Sequence, residues 1–145
     1  MIKIAYPQLP FKIKTEEGKE IIFDEVRKRW TRLTPEEWVR QNFLQYLIRT
    51  KGYPSSLIAI EKEIYLGDLK KRFDILVYNA AHEPWMMVEC KAMTVPLNGK
   101  VLEQLLRYNL SAPVRFLVIT NGSYVAGWER KEHDAEVLSE LPELV

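Results

Sequence analysis

Hydrophobic and polar positions recur with two periods along this chain, and each period marks a kind of element. Phe11-Lys12-Ile13-Lys14 and Glu20-Ile21-Ile22-Phe23 alternate around Thr15-Glu16-Glu17-Gly18-Lys19, which reads as a hairpin with glycine in the turn. Helical spacing then takes over, with Val39, Phe43, Tyr46, Leu47 and Thr50 on one face. Thr34 stands at the capping position of that helix, Pro35 at its first position and Glu37 three after the cap; Gly52 and Pro54 end it. Ile58 to Leu66 reads as a strand with Ile58, Ile60, Ile64 and Leu66 on one face and Glu61 and Glu63 on the other. Gly67-Asp68 turns the chain into Arg72-Phe73-Asp74-Ile75-Leu76-Val77-Tyr78. A polar, proline-containing connection, Asn79 to Pro84, leads on to Trp85-Met86-Met87-Val88-Glu89-Cys90-Lys91. Pro96-Leu97-Asn98-Gly99 opens a second helix, Lys100 to Leu110, with Val101, Leu102, Leu105 and Leu106 as its apolar face. Pro113 breaks the chain, Phe116 to Thr120 is a short buried strand, and Asn121-Gly122 signals a hairpin. Tyr124 to Trp128 then returns as an outer strand, and the acidic tail from Asp134 to Val145 reads as a short helix.

The order is helix, three-strand meander, helix, strand, strand. A strand reached through a helical crossover joins its predecessor in parallel. The expectation is an α/β fold: one mixed β-sheet flanked by helices, an α-βββ-α-β core. The 145 residues form one domain, with an N-terminal hairpin extension over 1–33, the core over 34–128 and a tail over 129–145.

Composition adds little to that picture. Hydrophobic residues make up 47% and charged residues 28%, an ordinary globular balance, and the net charge of +1 neither announces nor excludes a nucleic-acid binder. Basic clusters are present at Arg27-Lys28-Arg29 with Arg32, read as solvated surface, and at Lys70-Lys71-Arg72, which abuts Asp74. The single cysteine, Cys90, has no disulfide partner and points into apolar packing, which fits a reducing, cytoplasmic setting and argues against a nucleophile. No apolar run approaches a membrane span. His82 and His133 lack ligand partners at metal spacing and read as surface residues. Trp30, Trp38, Trp85 and Trp128 read as core or edge packing.

The chemistry lies in the middle hairpin. If it is symmetric about its loop, Asp74 faces Glu89 and Arg72 faces Lys91, which puts Asp74, Glu89 and Lys91 on one face. Like charges directly opposed destabilise a strand pair. A divalent cation between the carboxylates removes that penalty, and Mg²⁺ typically takes one or two carboxylates plus water and substrate phosphate. The alternative is a surface salt-bridge cluster in which Lys91 serves either acid. Arg72 either touches a phosphate or pairs with an acid such as Glu61. Glu37 either reaches toward a metal from the first helix or completes its capping box.

This order of elements, together with Asp74 and Glu89-Cys90-Lys91, resembles the PD-(D/E)-x-K nuclease superfamily with its restriction-endonuclease-like fold. Gln104-Leu105-Leu106-Arg107-Tyr108 is similar to the Q-x-x-x-Y helix of RecB-like nucleases. Glu36-Glu37-Trp38-Val39-Arg40-Gln41, Lys71 to Tyr78 and Thr120-Asn121-Gly122 look like the N-terminal nuclease domain of type I restriction enzyme R subunits. The resemblance covers about Thr34 to Trp128. The superfamily's proline before the first aspartate is replaced by Phe73, and no G-x-x-x-x-G-K-[S/T] loop is present, so no motor is read from the chain.

The resemblance implies metal-assisted hydrolysis of phosphodiesters, most naturally in DNA, in restriction or repair. Asp74 and Glu89 would hold Mg²⁺, for which Mn²⁺ can substitute, with the Cys90 carbonyl as a further ligand. Lys91 would serve the developing charge and Gln104 would orient the site; Lys71, Arg72 and Tyr108 would meet substrate. A homodimer, or a separate motor or specificity subunit, would be the protein partner. Two other readings compete: a non-catalytic nucleic-acid-binding or assembly module that kept the fold, and a structure-selective nuclease of the junction-resolvase kind, which predicts a dimer.

Overall fold

The computed structural model describes residues 1–132 and 134–144, with the backbone alone at Leu66 and Leu69; His133 lies outside the described residues. Two sheets are built. β1 (Ile13–Glu16), β2 (Lys19–Asp24) and β3 (Arg29–Arg32) form an antiparallel three-stranded sheet in that order. The expected hairpin is there, closed by Glu17 at φ 52° and Gly18 at φ 76°, a left-handed pair that a tight turn needs and glycine accepts freely. The extension gains a third strand that the Arg-rich 27–32 run did not suggest.

Helix α1 (Pro35–Gln45) starts as expected: the Thr34 side chain accepts from the Glu37 N–H at 3.0 Å. It runs on through a π-helical turn, Tyr46–Thr50, before Gly52. The main sheet follows, with β4 (Ile58–Leu66), β5 (Leu69–Tyr78), β6 (Pro84–Cys90), helix α2 (Gly99–Asn109), β7 (Phe116–Thr120), β8 (Val125–Arg130) and β9 (Ala135–Val137). Its order is β4-β5-β6-β7-β8-β9, and β6 and β7, joined through α2, are the parallel pair. This is the expected mixed sheet flanked by helices.

Two expectations at the far edge are corrected. The tail from Asp134 forms strand β9, not a helix, and β8 is therefore not the outermost strand. The ladder supplies the reason: β9 satisfies backbone groups on β8 that a helix could not reach. Leu138 and Leu141 then fold back onto the α1 side of the sheet.

The core has two layers. Val39, Phe43, Leu44 and Leu47 pack against Ile75, Val77, Met86, Val88 and Cys90 on one face. Phe73, Leu76, Met87, Leu117 and Ile119 meet the α2 stripe of Val101, Leu102, Leu105 and Leu106 on the other. Residues 73 and 75 should share a face by simple alternation, yet Phe73 and Ile75 lie in opposite layers. The same reversal occurs in β4: Ile58 and Ile60 join the α1 layer, while Ile64 packs against the α2 layer. The predicted single apolar face of β4 is therefore wrong. Both strands reverse at one level, Glu61 and Asp74. The β4–β5 ladder pairs Ile60 with Ile75 and Lys62 with Phe73 but skips the step between them, where Glu61 has φ 55°.

Candidate active site

Asp74 sits where two ladders stop. The β5–β6 register pairs Ile75 with Val88, Leu76 with Met87 and Val77 with Met86, so the next step brings Asp74 opposite Glu89, as the symmetric hairpin requires. That step is not a backbone pair. The Cys90 N–H donates to Asp74 Oδ2 at 2.7 Å, so the carboxylate takes the bond that a strand carbonyl would otherwise accept. Arg72, beyond the break, does not pair with Lys91. It belongs to the reversed stretch and meets Glu61 at 2.9 Å.

Glu89 carries the least satisfied group in the site. Its Oε2 is buried without a hydrogen-bond partner, while Oε1 lies 4.0 Å from Lys91 Nζ. Burial pushes the Glu89 carboxyl above its ordinary range; Lys91 opposes the shift, and Asp74 and Glu36 add to it. Burial raises Asp74 as well, against the Cys90 N–H and the charges of Arg40 and Lys91. Two desolvated carboxylates that repel each other make an electrostatic deficit that a cation fills. Among the described residues no three His, Cys, Asp or Glu side chains are gathered into a cage, so any ion would keep open positions. The donor set of two carboxylates with an orphaned oxygen fits a hard divalent cation of that kind.

On the first helix, two acids line the cleft that holds Asp74, Glu36 and Glu37. Glu37 is buried and turned inward, where Arg40 and Gln41 donate to its carboxylate. Only the Thr34 half of the capping box forms, and Glu37 is not free to reach a metal. Glu36, one position earlier, is the acid that senses the site: burial raises its pKa first, and Asp74 adds to the rise. The signal was latent in the sequence. Glu37, Arg40, Gln41 and Leu44 share the inward face at helical spacing, which leaves Glu36 to the side.

Below Asp74 lies an ion-pair network that sequence reasoning missed. Arg40 bridges Glu37 and Glu61, and its Nη1 comes within 3.9 Å of Asp74. Arg27, expected at the solvated surface, instead binds buried Asp24 at 2.7 Å and reaches Glu61 at 3.4 Å. Burial works against the charged form of Glu61, but Arg40, Arg72 and Arg27 outweigh it and hold the carboxyl below its usual range.

The remaining candidates divide. Lys71 is buried; it donates to the Tyr108 carbonyl and its Nζ lies 4.3 Å from the centre of the Tyr108 ring, which ties α2 to β5. Burial lowers the Lys71 pKa, and the Glu89 charge opposes that shift. Gln104 is exposed and lines a surface depression with Lys100, Glu103 and Arg107, separate from the cleft that holds Asp74. The Cys90 thiol is fully buried and its pKa is pushed well up by that burial, as an inert packing residue's should be. His82 is exposed. Trp85 and Trp128 are core, whereas Trp30 and Trp38 are more than a third exposed.

A cleft of about 670 Å³ opens on Asp74, walled by Arg32 from β3, Pro35 and Glu36 from the start of α1, and Glu61 and Arg72 from the meander. Glu89 and Lys91 adjoin Asp74 on the β6 side, outside that wall. The family model for the type I restriction enzyme R protein N terminus (HSDR_N) matches residues 35–142, which is this whole assembly from α1 through β9. The chain belongs to this family. Among solved structures, it is similar to a fragment assigned as an HsdR subunit of a type I restriction enzyme from Vibrio vulnificus YJ016, with 20% identity and a TM-score of 0.53 over 77% of the chain. That likeness shows the fold, and the chain spans about a quarter (24%) of the length of that solved protein. No curated protein matches. The match begins at Pro35, so β1, β2 and β3 lie ahead of the family's span while Arg32 still faces its cleft. No helix among the described residues is long and apolar enough to cross a membrane.

Proposed function

We propose that this restriction-enzyme R-type domain is a metal-dependent nuclease of the PD-(D/E)-x-K kind that hydrolyses phosphodiester bonds, with DNA as the substrate. The observation that carries this reading is the orphaned, buried Glu89 Oε2 beside a second desolvated carboxylate, Asp74. Asp74 and Glu89 would hold Mg²⁺ or Mn²⁺, with the Cys90 carbonyl as a further ligand. When bound, such an ion withdraws charge from a phosphoryl oxygen and acidifies water. The chain's own groups do the rest. The Cys90 N–H fixes Asp74 through Oδ2, and Arg40 sits beyond Oδ1. Lys91, a compact ammonium beside Glu89, is placed to stabilise negative charge as it grows on the phosphate. Arg72 is well exposed and, among the described residues, paired only with Glu61, so it can exchange that partner for a substrate phosphate.

Plasmid cleavage with and without Mg²⁺ tests the assignment, with wild type compared against Lys91→Ala and Asp74→Ala. Activity that needs Mg²⁺ and falls in both variants supports it; equal activity in all three removes it. The near-neutral net charge of +1 supports delivery of substrate by a separate motor or specificity subunit.

A non-catalytic nucleic-acid-binding module is the second reading. It draws on the lack of a three-ligand cage among the described residues and on Gln104 lining a depression other than the Asp74 cleft. Melting with added Mg²⁺ or Mn²⁺ separates the two, since ligand binding to the folded state raises its stability. No shift in a protein that still binds DNA favours the module.

A further inference from the structure

The N-terminal sheet has one face that the proposed chemistry does not use. Register places Lys14 across from Ile21, Ile21 across from Arg32, and Phe23 across from Trp30, so these side chains share a face. Its opposite face turns Ile22 and Asp24 inward, both fully buried. The outward face is therefore built from cations laid over aromatic rings. Lys14 Nζ lies 4.4 Å from the Trp30 ring centre and Lys12 Nζ lies 5.6 Å from that of Phe23. The two rings meet edge to face at a centroid distance of 5.4 Å. Lys14 also reaches Glu16 at 3.6 Å, an exposed pair that holds it only weakly. Trp30 remains 38% exposed, which a ring serving only as packing does not need. Lys19 extends the same row toward the turn.

Arg32 closes this face and also walls the cleft on Asp74. Glu36, Glu37, Glu61 and Asp74 share that cleft, yet among the described residues Arg32 forms no ion pair with any of them. A guanidinium left unpaired in a cleft lined by four carboxylates is available to an anion from outside.

We propose that the outward face of the N-terminal sheet is a nucleic-acid track, in which Lys12, Lys14, Lys19 and Arg32 hold successive backbone phosphates, Trp30 stacks on an unpaired base, and the strand is led across Arg32 into the Asp74 cleft. The proposal rests on the nuclease reading for its destination but not for its binding. Cations alternating with an accessible ring match the chemistry of single strands, where basic grooves follow the backbone and aromatic rings stack on bases. With a net charge of +1, the chain has little non-specific attraction for polyanions, so such a row supplies a local field that the whole molecule lacks.

The test is fluorescence anisotropy in EDTA with labelled single-stranded DNA, duplex DNA and single-stranded RNA, alongside cleavage assays with Mg²⁺. Wild type, Lys14→Glu/Arg32→Glu, Trp30→Ala and the control Lys100→Glu on α2 are compared after matching their melting curves. The track predicts tightest binding to a single strand and at least about tenfold weaker binding in Lys14→Glu/Arg32→Glu. The salt dependence of that variant should be shallower by about 0.7 for each phosphate it no longer neutralises. Trp30→Ala should weaken single-strand binding by about tenfold and leave the salt slope unchanged; Lys100→Glu should behave as wild type. RNA bound as well as DNA means the face reads phosphate and base alone. Wild-type affinity in Lys14→Glu/Arg32→Glu, or no binding by wild type, overturns the track. If wild type cleaves nothing while those variants still lose binding, the nuclease reading fails and the track stands.

Discussion

Glu61 lies across from Asp74 at the one level where the β4–β5 ladder is interrupted, and both strands exchange faces there. One unpaired residue in each strand keeps the register on either side while reversing the pleat. This break frees Asp74 from the ladder, so its carboxylate can reach the Cys90 N–H. It also delivers Arg72 and Arg40 to the same carboxylate, Glu61.

Glu61 holds a left-handed backbone that a residue with a Cβ adopts at a cost of about 1 kcal/mol or more. Glu61→Ala is expected to lower stability by about 1–3 kcal/mol, because Arg27, Arg40 and Arg72 lose a shared acceptor. Glu61→Gly should lose about 1 kcal/mol less than Glu61→Ala, the reverse of the usual order in a strand. Urea denaturation of the two variants checks this; a glycine variant less stable than the alanine variant would contradict the strained geometry.

Glu89 links the site to pH. Its folded-state pKa is raised by burial, so the folded protein takes up a proton more readily than the unfolded chain. For such a carboxyl, stability rises as pH falls from neutral through the folded pKa, and levels off below the unfolded value. Glu89→Gln should therefore melt higher than wild type at neutral pH without divalent metal. That advantage should fade on acidification, as wild-type Glu89 becomes neutral too. Melting curves across the acid range test it, and a pH-independent difference would show that the carboxyl is not the cause. Added Mg²⁺ should stabilise wild type and leave Glu89→Gln nearly unmoved.

Gln104 and Lys91 separate resemblance from geometry. Gln104 faces a depression on α2, so Gln104→Ala should retain activity within a factor of about two. Lys91→Ala should lose about 100-fold or more in kcat, as expected when a charge-stabilising donor is removed. Steady-state cleavage rates decide, and a large loss in Gln104→Ala would mean that α2 moves toward the carboxylates when substrate binds.

How far the site could be read from residues varied with the range of the interaction. The Thr34 cap, the Gly18 turn and the start of α2 at Asn98 were legible because each depends on neighbours within a few positions. The opposition of Asp74 and Glu89 followed from hairpin symmetry. The inward face of α1 was only latent in its helical spacing, and the convergence of Arg27 and Arg40 on Glu61 was not legible, because Glu61 comes from a distant strand. The tail holding β9 reads as helix by its acidic composition, although Ala135-Glu136-Val137 alternates; pairing with β8 makes it a strand.

Periodicity and turn chemistry act locally, so the order of the core elements from α1 to β8, the parallel crossover through α2 and the alignment of two acidic residues on neighbouring strands could be read from the residues alone. Packing across the whole fold chose the face each side chain takes beyond Glu61 and Asp74, and the pairing of β3 with β2 brought Arg32 to the cleft. Apolar layers cover both faces of the sheet, so a reversal of the pleat is masked in the alternation, and the pairing of buried charges depends on the whole set of charges around them.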